Sequence, residues 1–83
     1  MANTVQKFVR RNSTEVVRAL LYQSIDDFET LVNFIGDLYP TLTRAHTRVY
    51  ENHWIVRHGD NSVEFICCAH GEKCFELAYE PYK

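Results

Sequence analysis

The chain has 83 residues, enough for one domain built on one core. Its net charge of −2 gives no global pull toward nucleic acid or an anionic membrane, and no apolar run approaches the ~20 residues that a spanning helix needs. Five Phe, five Tyr and one Trp are ample for that core and leave aromatic surface over, so a homo-oligomer is expected.

A domain of this size buries only roughly 60–65% of the surface that its unfolded chain exposes, so modest stability is expected. Charge is unevenly spread. Residues 1–24 carry Lys7, Arg10, Arg11 and Arg18 against Glu15 alone, while residues 25–40 carry Asp26, Asp27, Glu29 and Asp37 with no base. Blocks of this kind are usually solvated faces. The N-terminus lacks a basic head followed by an apolar stretch, so no signal peptide is expected. Three Cys without an export signal read as reduced thiols in the cytoplasm.

Residues 1–14 are polar and basic, with Val5, Phe8 and Val9 as their main anchors. They read as a frayed arm or as an edge strand ending at Asn12–Ser13, with residues 1–6 expected to be disordered. Residues 15–23 (EVVRALLYQ) are β-branched and aromatic. Ala19 and the two Leu also suit a helix, but the run is short and meets a helix start at Ser24, which favours a strand. Ser24-Ile-Asp-Asp has the spacing of a capping box, with Asp27 in the place of the preferred Glu. Phe28, Leu31, Val32 and Ile35 then fall on one stripe of an amphipathic helix over about 25–36, widened by Phe34 and Leu38. Gly36 is expected as a left-handed cap, and Pro40 bars continuation. Residues 41–52 read as a loop followed by a strand at 46–50, with a turn at Glu51-Asn52.

Residues 53–82 read as an antiparallel meander of three short strands, HWIVR, SVEFICCA and CFELAYEPY, joined by turns at HGDN and HGEK. Trp54 and Val56 share one face and Ile55 takes the other. Val63, Phe65, Cys67 and Ala69 form one row, and Phe75, Leu77 and Tyr79 another. Glu64, Glu76 and Glu80 take the opposite parity, with Ile66, Cys68 and Ala78 among them. Such a mixed outer face suits a second subunit or a partner. The expected architecture is α+β, with an antiparallel sheet of four to five strands carrying one amphipathic helix on one face, in the order β-α-β-β-β.

Val16-Val17-Arg18-Ala19, the helix Phe28 to Gly36, Trp54-Ile55-Val56 with Gly59, and the ending Phe65, Cys67, Phe75 and Ala78-Tyr79-Glu80-Pro81 form a further pattern. Over about residues 7–82 the chain resembles small phage and prophage proteins. Their sequences run through VVxEAxQW, a helix ending in FLG, GDWIIKG…GEFYPCKP and a terminal F…TYEP. Asn52-His53 stands where that family has Gly-Asp, and Cys68 replaces the Pro after the family's Cys. The family carries no settled activity, so the resemblance implies a viral origin and a fold rather than a reaction. By analogy with phage genes of this size, inhibition of a host or defence protein is expected, or sequestration of a signalling molecule.

Cys67, Cys68, His70 and Cys74 lie close together, with His53 and His58 nearby. Zinc requires four converging ligands, whereas adjacent strand residues point to opposite faces and no C-x-x-C occurs, so no metal site and no cofactor is expected. Cys68–His70 and His53–Glu51 are the nearest approach to a nucleophile with its base, and so small a core disfavours a closed pocket. The protein is expected not to be an enzyme. Asp26, Asp27 and Glu29 fit the first turn of a helix.

The cations are more informative. Lys7, Arg10, Arg11 and Arg18, with Arg44, Arg48 and Arg57, gather on one face beside Trp54, Tyr22 or Tyr50 if the first strand lies next to a later one. The plainer alternative is that they pair with the surplus of acids. The expected binding set is Arg10, Arg11, Arg18, Trp54 and Arg57. The expected function is non-catalytic inhibition of a host or defence protein in the host cytoplasm. Capture of a cyclic or other nucleotide at a subunit interface, and nucleic-acid binding, stand as alternatives.

Overall fold

A computed structural model describes residues 3–67 and 74–82. Five antiparallel strands form one sheet: β1 (Gln6–Arg10), β2 (Val16–Tyr22), β3 (His53–Arg57), β4 (Val63–Cys67) and β5 (Tyr79–Pro81), in the spatial order β4-β3-β2-β1-β5. One face carries the helix α1 (Phe28–Ile35), which continues a 3-10 turn over Ile25–Asp27. The expected α+β architecture is therefore the one that forms, with five strands among the described residues.

Alternation decides which side chains enter which layer. In β2, Leu20 and Tyr22 point toward α1, while Val17 and Ala19 point away. In β3, Ile55 faces α1 and Val56 the far side, with Trp54 packed there too. The first layer joins Leu20, Tyr22 and Ile55 to Leu31, Phe34 and Ile35. Each such burial contributes about 1.5–3 kcal/mol. Val32 is turned outward at 37% exposed, so the buried stripe runs through Phe34 rather than Val32. The Ser24 hydroxyl accepts from the Asp26 N–H at 3.3 Å and starts the rod. Gly36 ends α1 in an ordinary right-handed conformation, φ −62°, not as a left-handed cap. Glycine fits there because a Cβ would run into the Val32 carbonyl. Left-handed backbone is supplied instead by Asn12, Asn52 and Asn61, one in each of three turns.

The N-terminal arm is more structured than expected. The Asn3 backbone N–H donates to Asp27 at 2.6 Å and the Gln23 N–H at 2.9 Å, around a carboxylate only 2% exposed. Burial pushes the Asp27 carboxyl up, but the donors from Gln23, Asn3 and Ser24 outweigh it and hold the pKa below its ordinary value. Gln6 already pairs with Ala19.

Two further expectations are corrected. Residues 46–50 form a 3-10 turn, His46–Tyr50, and not a strand. The buried Thr47 hydroxyl accepts from the Tyr22 hydroxyl at 2.9 Å and donates to the Arg44 carbonyl at 3.0 Å, while Val49 is 71% exposed. The third strand of the meander also does not follow β4. Cys74–Ala78 is a short helix, α2, and β5 crosses to the opposite edge to pair with β1. Phe75 and Tyr79 enter the far layer with Phe8, Val17, Ala19 and Val56. Leu77, expected in one row with them, is 75% exposed. The outer face foreseen as open to a partner is thus partly covered by the chain itself. The HGEK turn, Cys68, Ala69 and His70 lie outside the described residues.

Candidate interaction surface

The register places three cations side by side on the α1 face: Lys7 opposite Arg18, and Arg18 opposite Arg57. Each finds a different environment. The Arg57 guanidinium donates to both Asp37 carboxylate oxygens at 2.8 Å, to the Phe34 carbonyl at 2.7 Å and to Asn61 at 2.9 Å. It ties β3 to the end of α1. Hydrogen bonding to Arg57 holds the Asp37 carboxyl below its ordinary value, and the same contact raises Arg57. The Arg18 guanidinium lies 5.6 Å from the Phe34 ring centroid, and the Lys7 ammonium 5.9 Å from that of Tyr82.

The α1 layer reaches β2, β3 and β4, but β1 and β5 supply no strand residue to it. On that bare half lies a groove of about 420 Å³, lined by Val9, Ser13, Val16, Glu80, Pro81 and Tyr82 among others. Val16 is 41% and Tyr82 52% exposed. An apolar shelf and a row of cations thus share one half-open face.

The expected binding set does not come together. Only Arg18 borders this surface with its head outside any ion pair among the described residues. Arg57 is held by Asp37, and Arg11 by Glu80 at 3.0 Å and the Glu76 carbonyl at 2.6 Å. Trp54 belongs to the far layer, stacked on Phe75 at 4.1 Å and edge-on to Phe8 at 5.4 Å. Arg10 is exposed on that far side, where its charge acts on Glu64 and Tyr79. The plainer alternative, pairing with acids, holds for Arg11 and Arg57.

Sequence reasoning missed Val9 and Val16, whose signal is only the parity of β1 and β2, and Tyr82, which follows β5. It also missed a network at the end of the far layer. His58 meets Glu15 through Nδ1 at 2.8 Å and Glu64 through Nε2, and the Tyr79 hydroxyl donates to Glu64 at 2.9 Å. Burial pushes the His58 pKa down, but the two carboxylates outweigh it and raise it above 6.5. Burial raises Glu64, but the His58 and Tyr79 donors more than reverse this. Tyr79 is pushed up to about 12 by burial and by the Glu64 carboxylate. Both imidazole nitrogens are engaged, so the ring clamps the start of β2 to β4 rather than offering a base.

No helix among the described residues is long and apolar enough to cross a membrane. Searches of protein-family models, of curated proteins and of solved structures find no match to this chain.

Proposed function

We propose that the protein is a non-catalytic binding module that acts by occupying an acidic surface of another protein. The observation that carries this reading is the Lys7–Arg18–Arg57 row beside the bare Val9, Val16 and Tyr82 shelf. Like charges directly opposite across a sheet are unfavourable, and of the three only Arg57 has a carboxylate partner among the described residues. A partner that brings acids to Lys7 and Arg18 relieves this repulsion and covers the apolar shelf in the same step. The expected resemblance to small phage proteins favours a host or defence protein as the target.

Tagged protein and a Lys7→Glu/Arg18→Glu variant serve as paired baits in host extract, with melting temperatures measured alongside. The partner should be retained by the parent and lost by a variant that melts normally, with faster association at low salt. Undiminished retention by the folded variant refutes the assignment.

A further inference from the structure

A second cavity lies between the His46–Tyr50 turn and the start of the helical rod. Its volume is about 450 Å³, within the roughly 300–1,000 Å³ of small-molecule sites. Arg44 and Arg48 line it together with Ser24, Ile25, Ala45 and Glu51. Both cationic side chains line the same cavity, and like charges held close together repel one another. Among the described residues neither guanidinium has an ion-pair or hydrogen-bond partner; the ion pairs there use Arg11, Arg57 and His58. The Arg44 head lies 4.8 Å from the Phe28 ring centroid. The contact leaves the guanidinium's N–H donors free, and Phe28 itself belongs to a neighbouring hollow that Arg44 also borders. The Ser24 hydroxyl already accepts from the Asp26 N–H, so its own proton remains to be donated.

We infer that this cavity binds a compact organic phosphate of the class of a nucleoside monophosphate. The phosphoryl oxygens accept from Arg44, Arg48 and the Ser24 hydroxyl, which fits the fork geometry of guanidinium for phosphate. Ile25, which is 45% exposed, and Ala45 supply apolar surface for the planar body. Glu51, on the same wall, accepts from a sugar hydroxyl. The Lys7–Arg18 face takes no part, so this site stands or falls independently of the protein contact.

Titration of the full chain with adenosine monophosphate, inorganic phosphate and adenosine, each followed by thermal melting, tests the assignment. The monophosphate should raise the melting temperature, phosphate should raise it less, and adenosine should leave it unchanged. Arg44→Gln and Arg48→Gln remove exposed side chains, and each folded variant should bind the monophosphate about tenfold or more weakly, as expected for loss of a charge-assisted bond. The inference is overturned by no shift up to about 5 mM ligand, by an equal shift with adenosine, or by undiminished binding in either variant.

Discussion

Replacing Thr47 by Val deletes one hydroxyl, yet it strands two other groups. The Tyr22 hydroxyl, on a side chain only 1% exposed, loses its acceptor, and the Arg44 carbonyl loses a donor. A buried donor left without a partner costs about 1–3 kcal/mol, against about 0.5–1.5 kcal/mol for an ordinary hydrogen bond. Tyr22→Phe is the milder change, because Thr47 keeps its bond to Arg44. It should cost about 1 kcal/mol and Thr47→Val about 2 kcal/mol. The double variant replaces both partners by apolar groups, so it should cost less than the sum by about 1 kcal/mol. For a domain this small, 1 kcal/mol moves the melting temperature by about 4–8 °C. Urea unfolding followed by the fluorescence of Trp54, the single tryptophan, reads all four proteins. Strict additivity, or a larger loss for Tyr22→Phe than for Thr47→Val, refutes the account of a relay buried under the 3-10 turn.

Two more outcomes are expected. The raised His58 pKa means a contribution that is whole below the ordinary histidine value of 6.5 and is lost as pH climbs through the higher folded value. The lowered Glu64 pKa contributes above its ordinary 4.5 and is lost as pH falls through the depressed folded value, so the network is intact between those two ordinary values. His58→Gln should therefore flatten the alkaline side of a stability–pH curve, and an unchanged curve would count against the clamp. Phe75→Ala should destabilise by about 3–5 kcal/mol, since that ring stacks on Trp54 and Tyr79, while Leu77→Ser should stay within about 0.5 kcal/mol; comparable losses would restore the strand reading.

The sheet and its helix are legible because their signals are local. Ser24 opens the rod, Leu31 and Ile35 recur at helical spacing, and HWIVR is a short apolar run bounded by turn residues. The last segment misleads because Phe75 and Tyr79 are four apart, a spacing that puts them on one side of either a strand or a helix. Leu77 alone distinguishes the two, and its exposure is a tertiary fact. The 3-10 turn escapes notice for a similar reason: Thr47, Val49 and Tyr50 favour strands until a buried hydroxyl finds its partners across the fold. The cationic set is legible only in part, for a different reason. Long side chains choose partners by three-dimensional neighbourhood, so the spacing of Arg57 to Asp37, twenty residues away, carries no sign of their pairing. Lys7 and Arg18 become neighbours only once β1 is laid against β2 in register.

The pairing of β5 with β1 joins residues some seventy positions apart, Val9 with Glu80 and Phe8 with Pro81. β5 is three residues long, lies at the rim of the sheet and contains a proline that gives up one ladder bond. So distant and brief a closure is late to assemble and early to fray. Glu80, Pro81 and Tyr82 also form one bank of the exposed groove. The proposed recognition face is thus hung on a three-residue rim strand, and a partner that grips Tyr82 would latch that closure shut as it docks.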